Sequence, residues 1–254
     1  MSDLVHLMLT MPEWREQEGR LNSIEELIVA SARVSYLGQN KGYERDLRLL
    51  QYLFEHEHTT PFEVPTFLFR IEAPMVVFNH FVRHRTATFN VQSGRYTQYE
   101  DTFYVPPAEG WRMQSAVNHQ GSDSSHLTPL EGEEFTNRFK QLVEDSYALY
   151  TDMLQARVAR ELARLVLPSS ALYIEFQMKI DLHNLLHFFK LRLNADAQFE
   201  TRFYARQMAQ LVEPLVPNVM RMFYAKYPHL DPNKPREDEQ LANSGEAAAS
   251  NGSG

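Results

Sequence analysis

Val5, Leu7, Leu9 and Met11 alternate with His6, Met8 and Thr10, a period of two that predicts a first strand ended by Pro12. The period then lengthens. Ser23-Ile-Glu-Glu26 has the form of a capping box, and Ile24, Leu27, Ile28 and Ala32 recur at helical spacing to about Tyr36. Lys41-Gly42 interrupts this pattern before a second amphipathic helix from Tyr43 to Glu55, beyond which Pro61 forbids continuation. From Thr66 to Glu72 the alternation returns, with Phe67, Phe69 and Ile71 on one face, and the apolar run Pro74–Val82 reads as a helix.

In the second half, Phe103–Pro107 is a short extended piece. Ala108 to Thr128 is rich in Gly, Ser, Asn, Gln and His without periodicity, which predicts a long surface loop or lid. Thr128-Pro129-Leu130-Glu131 places cap, N1 proline and N3 glutamate at the head of a helix that Phe135, Phe139, Leu142, Val143, Tyr147 and Leu154 continue. A helical stretch from Arg157 to Val166 follows, then the clearest strand, where Leu172, Ile174, Phe176, Met178 and Ile180 alternate with polar residues. Asp181 is a good N-cap for a helix from Leu182 to Leu193, and a last long helix ends near Tyr227. The fold class this predicts is α+β, a small mostly antiparallel sheet flanked by long helices, as a single domain over 1–230. Residues 231–254 are polar and Gly-, Ala- and Ser-rich, the composition of a disordered tail.

Composition narrows the function. The 254 residues carry a net charge of −8, and the body stays acidic without its tail, which disfavours a sequence-independent nucleic-acid binder. No apolar run reaches membrane-spanning length and no signal-peptide layout opens the chain, so the expected location is cytoplasmic. There is no cysteine, which excludes disulfides, thiolate metal sites and any cysteine nucleophile.

Against this acidic background, His80–Tyr96 gathers Arg83, His84, Arg85 and Arg95 with His80, Asn90, Gln92, Ser93 and Gly94. Guanidinium forks suit phosphate or another planar anion, the neutral donors and acceptors suit a heterocycle, and Gly94 permits close backbone approach. Arg164 and Arg192 lie on distant stretches that folding could bring to the same place. His56-Glu57-His58, and His183 and His187 with Asp181, leave a metal reading open, although the first lacks a convincing third ligand nearby and the second lacks the internal glutamate of the metalloprotease pattern.

The spacing Arg83-His84-Arg85, seven residues, then Ser93-Gly94-Arg95-Tyr96 resembles the signature of the flavin-dependent thymidylate synthases, the ThyX family. Further matches are Ala32-Arg33-Val34-Ser35, His58-x-Thr60-Pro61-Phe62-Glu63, Ala163-Arg164-x-x-Leu167-Pro168, Asp181-Leu-His-Asn-Leu-Leu-His-Phe-Phe-Lys-Leu-Arg192 and Ala197-Gln198-Phe199-Glu200. The resemblance implies reductive methylation of dUMP to dTMP, with methylenetetrahydrofolate giving the carbon and NADPH reducing a bound FAD. It implies flavin contacts at Ser35, Thr60, Arg83, His84, Arg85, Asp181, His183 and His187. Nucleotide contacts are implied at His80, Arg83, Val91, Gln92, Ser93, Gly94, Arg95, Arg164 and Arg192, with Arg192 on the pyrimidine as the catalytic group and the Arg-His-Arg run as a cationic partner for the reduced flavin. It also implies a homotetramer whose sites draw on several subunits. His80 stands where the family usually has glutamine, Val64 where it commonly has histidine, and Val91 where many members have glutamate, which leaves the choice between dUMP and UMP open.

Overall fold

The computed structural model describes residues 5–11, 21, 23–36, 41–116 and 121–231. In chain order the elements are β1 (Val5–Met11), α1 (Ser23–Arg33), α2 (Tyr43–Glu55), α3 (Thr60–Glu63), β2 (Thr66–Pro74), α4 (Met75–Phe81) and β3 (Thr88–Val91). They continue with β4 (Arg112–Gln114), β5 (Ser122–His126), α5 (Pro129–Gln155), α6 (Arg160–Ala163), β6 (Tyr173–Asp181), α7 (Leu182–Arg192), α8 (Phe199–Val212) and α9 (Pro217–Lys226). The chain divides into two compact units, one of Met1–Ala73, Val77–Val91 and Glu175–Pro232, the other including Pro74–Val76 and Gln92–Ile174.

The first unit holds the sheet, in the order β1-β2-β6-β3, with β1–β2 and β3–β6 antiparallel. Alternation dictates its faces. Phe67, Phe69, Ile71, Phe176, Met178 and Ile180 are buried, while Arg70 and Glu175 form a cross-strand ion pair on the solvent side. Phe176 is the centre of an aromatic cluster, its ring 4.8 Å from Phe78 and 5.7 Å from Phe81, which in turn lies 4.8 Å from Phe188 of α7. Each such ring removed from water contributes about 1.5–3 kcal/mol, so this cluster fixes α4 and α7 against the sheet. β1 pairs with β2 over its length, with a register shift at a bulge between Leu7 and Leu9.

Two buried polar contacts tie helices together in this unit. Asp46 of α2 accepts from the Arg33 guanidinium at 2.6 Å and from the Lys41 backbone N–H at 3.0 Å. Glu25 of α1, fully buried, accepts from the Asn218 and Val219 backbone N–H groups at 2.7 and 3.1 Å and from Asn218 Nδ2 at 2.7 Å. It thereby serves the open N-terminus of α9, whose own N-cap residue Val216 makes no side-chain cap bond. Burial raises the Glu25 pKa, against the pull of those bonds. The single last helix read from the sequence is two: α8 ends at Val212, a 3-10 turn spans Glu213–Leu215, and α9 begins at Pro217. Pro214 and Pro217 lack the N–H groups a continuous helix needs.

The second unit is organised on α5, which starts with the expected capping box of Thr128 and Glu131. Gly132 lies so close to the chain at Ala108 that a Cβ there would sit 2.1 Å from its carbonyl oxygen. Trp111 Nε1 donates to Thr136 Oγ1, which donates to the Pro106 carbonyl, both at 2.9 Å. The Tyr99 backbone N–H donates to the Tyr150 hydroxyl at 3.1 Å. The loop expected over Ala108–Thr128 instead contains the antiparallel pair β4–β5, with Arg112 opposite His126. Its strands are mostly exposed on both sides, so they carry no alternation to read. The helix expected from Arg157 starts only at Arg160, since Arg157 takes a φ of 63° that closes α5. The expected cap at Ser23, the stop at Pro12 and the tail beyond 231 lie outside the described residues or side chains.

Glu25→Ala should lower unfolding stability by about 3 kcal/mol, because three donors lose a charged acceptor in the core. Glu25→Gln, which keeps one acceptor, should lose less. Urea midpoints compared at constant m-value check this ordering.

Candidate active site

The sheet and α4 deliver the Arg83-His84-Arg85 turn. The His84 N–H donates to the Phe81 carbonyl at 3.0 Å, closing the turn after α4, and Thr88–Val91 then pairs with β6. Asp181 ends β6 and starts α7 by accepting from the Asn184 N–H at 2.9 Å, so α7 carries Arg192 in its last turn. There Arg192 Nε donates to His84 Nε2 at 2.9 Å, and Nη2 donates to the His80 carbonyl at 3.2 Å. These use two of the five guanidinium N–H groups. His84 is buried, its ring 4.8 Å from Phe188 and 6.3 Å from His187.

Accepting at Nε2 requires an unprotonated nitrogen, so His84 is the neutral Nδ1–H tautomer. Burial, then Arg192, then His187 push its pKa down to about 4. The positive charge expected of the Arg-His-Arg run therefore sits on Arg83 and Arg85. His80 is also pushed below the ordinary histidine value, by burial and Arg192, with Glu200 opposing. Burial and the nearby Arg83 charge lower the Arg192 pKa too, from a value so high that the guanidinium stays charged. Glu200, buried on α8, had no role in the sequence reading. Its only signal was its place in the Ala197–Glu200 match.

Elsewhere in this unit, Arg83 and Arg85 are exposed, and among the described residues no carboxylate pairs with either. Ser35 is exposed in the 3-10 turn Val34–Tyr36, directly after the buried Arg33–Asp46 pair. Thr60 opens α3. Each Asp181 oxygen accepts once from Asn184, Oδ1 from its N–H and Oδ2, at 2.7 Å, from its Nδ2, so Asp181 caps α7 and keeps a further lone pair on each oxygen. His183 and His187 line a cavity of about 260 Å³ between α2, α3, α7 and α9. Val91 is exposed at the end of β3, opposite Phe176.

Gln92, Ser93, Gly94, Arg95 and Arg164 belong to the second unit. The Ser93 carbonyl accepts from Tyr96 and Thr97 N–H groups at 3.0 and 3.1 Å. A Cβ on Gly94 would lie 2.2 Å from the Tyr99 ring, and its N–H donates to the Tyr99 hydroxyl at 3.2 Å. The close approach that requires glycine here is thus made by Tyr99. Arg95 Nε lies 3.5 Å from Glu161 of α6, and Arg164 follows on the 3-10 turn after that helix. The structure brings His80, His84 and Arg192 together near Arg83 in one unit, and Ser93, Gly94 and Arg95 beside α6 in the other. Among the described residues no group of three or more His, Cys, Asp or Glu side chains could hold a metal ion, and no helix is long and apolar enough to cross a membrane.

Comparison with known proteins agrees with this architecture. The Thy1 family, described as thymidylate synthase complementing protein, matches residues 20–218. The flavin-dependent thymidylate synthase of Thermus thermophilus is 44% identical over 193 residues, 76% of this chain and 69% of that protein. That of Dictyostelium discoideum is 40% identical over 196 residues, 77% and 64%. The crystal structure of the UMP/dUMP methylase PolB from Streptomyces cacaoi bound with 5-Br dUMP superposes with a TM-score of 0.73 at 27% identity, covering 87% of this chain and 94% of that one. Fold and sequence together define a flavin-dependent enzyme acting on a nucleotide. The chain belongs to the Thy1 family, that of the flavin-dependent thymidylate synthases.

With its folded pKa near 4 against an ordinary 6.5, His84 contributes stability that is present above pH 6.5 and lost as the pH falls from there toward 4. His84→Gln keeps an acceptor for Arg192 without a titrating group. Its thermal unfolding should fall less steeply over that pH range than the wild type's, and parallel curves would show that His84 titrates normally.

Proposed function

We propose that the chain binds FAD non-covalently and methylates dUMP to dTMP, using methylenetetrahydrofolate as carbon donor and NADPH as reductant. The observation that carries this reading is Arg192, half-buried and held by a neutral imidazole and a carbonyl rather than by a carboxylate. Its charge is left for a ligand. With no cysteine in the chain, C5 of uracil cannot be activated by thiol addition at C6. Arg192 instead stabilises negative charge on N3–C4=O as C5 attacks, each pKa unit of such a shift being about 1.4 kcal/mol. His84 fixes the guanidinium plane while adding no positive charge of its own. Arg83 raises the local potential for an anion.

The donor set suits a flavin: two exposed guanidinium groups at Arg83 and Arg85, and the imidazoles of His183 and His187 on α7. When bound and reduced there, the flavin would supply hydride. In this reading Ser35 and Thr60 add hydroxyl donors to the flavin, and Asp181 sets the start of α7 that carries the two histidines. Arg95, Arg164, Ser93 and the Gly94 backbone hold the nucleotide phosphate, with Gln92 and His80 toward the base. Exposed Phe135, Leu142 and Leu149, every seventh residue along α5, form an apolar stripe suited to a second copy, which supports self-association; the homotetramer is what the family resemblance implies. A cytoplasmic location goes with this reading.

UMP is the second reading. It is favoured by the likeness to a UMP/dUMP methylase and by Val91, which offers no hydrogen bond at the end of β3.

Arg192→Ala should lower single-turnover methylation about 100-fold, the scale of losing one donor to developing charge, while FAD affinity changes little. Arg164→Ala should act instead on dUMP binding, by about tenfold. FAD titration followed by melting temperature and stopped-flow product formation separates the two effects. In direct competition dUMP should be consumed ahead of UMP, and equal or greater use of UMP would move the assignment to the second reading.

A further inference from the structure

The cavity between α2, α3, α7 and α9 is divided chemically. Phe54, Phe62, Phe223 and Tyr227 supply aromatic wall, and His58, His183, His187, Lys190 and Lys226 supply positive or protonatable groups. Lys190 Nζ stands 5.1 Å above the Tyr227 ring, and Lys226 Nζ lies 5.9 Å from the Phe54 ring and 6.0 Å from that of Tyr227. None of the described lining residues is an arginine, so the planar fork that matches phosphate is missing from this wall. The one carboxylate is Glu57, 2.9 Å from Lys226 Nζ.

Glu57 occupies an unusual place. It follows the C-cap of α2 with a φ of 57°, and the next N–H, of His58, donates back to the Leu53 carbonyl at 2.9 Å. Glycine is the usual residue at this left-handed closing position. A glutamate there sets a carboxylate on the cavity rim, against a lysine of another helix. Both partners remain solvent-accessible, their side chains 74% and 40% exposed, so the pair can open when another anion arrives.

We propose that Lys190 and Lys226 form a carboxylate-receiving shelf for an aromatic ligand bearing an acidic chain, with Glu57 as the internal carboxylate that the ligand displaces. This rests on the reading above, in which the carbon donor is a folate: a ring joined through an aminobenzoyl group to glutamate. The aromatic wall takes the ring system and the two ammonium groups take the glutamate tail. Lys226 then exchanges one carboxylate for another, and the displaced Glu57 carboxylate, 74% exposed, is taken up by water.

The test uses p-aminobenzoylglutamate as probe, titrated calorimetrically into the full-length protein with and without FAD. Lys190→Gln and Lys226→Gln should each weaken the probe about fivefold, and Glu57→Gly, which removes the competitor at a position glycine favours, should tighten it about threefold. Flavin absorbance should be unchanged in all three variants. Probe affinity indifferent to both lysine substitutions overturns the shelf. So does inorganic pyrophosphate binding in a lysine-dependent way while the probe does not, which would make this a phosphate site. If Glu57→Gly lowers the melting temperature and leaves probe affinity unchanged, the ion pair is only a tie between α2 and α9, and the displacement is wrong. Failure of the wild type to bind FAD would sink the flavin reading separately, since the probe titration without FAD still decides the shelf.

Discussion

A guanidinium can donate to an imidazole only while that imidazole is neutral, and the geometry around Arg192 depends on this condition. A carboxylate in the place of His84 would hold the arginine more tightly and cancel its charge. A protonated histidine would repel it. The neutral ring orients without neutralising, so the charge that α7 carries to its last turn remains available. Burial against Phe188 keeps the ring in that state, which links the aromatic core under the sheet to the electrostatics above it.

Much of the fold was legible because its elements are one-sided. α2 and β6 lie where period and alternation put them, and Thr128 and Asp181 cap the helices their side chains announce. What was not legible had a physical reason in each case. The β4–β5 pair buries neither face, so nothing in its sequence alternates. The break between α8 and α9 was signalled by Pro214 and Pro217, but the flanking apolar spacing is helical on both sides. β3, only four residues long, carries Phe89 inward and little else.

The site was legible as an inventory of residue types and not as an arrangement. Arg192 could be matched to a motif, yet its contact with His84 crosses 108 residues and has no local trace. Gly94 shows the opposite failure: the motif was plain, and its cause, the ring of Tyr99 five residues on, is a packing matter. Lys190 and Lys226 sit on separate helices at no recognisable spacing, so only the folded cavity reveals them as neighbours.

The Glu25 contact to Asn218 joins residues 193 positions apart. During synthesis, α1 emerges with a carboxylate whose protein donors do not exist until most of the chain has been made. The sheet has the same character, since β2 must wait for β6, a hundred residues later, to gain its second neighbour. A nascent chain lacking its last two helices would hold the aromatic core half-covered and the acid of α1 hydrated. This unit must therefore close as a whole, once α9 has been made, with slow, non-local assembly and an interval in which its apolar surface is exposed.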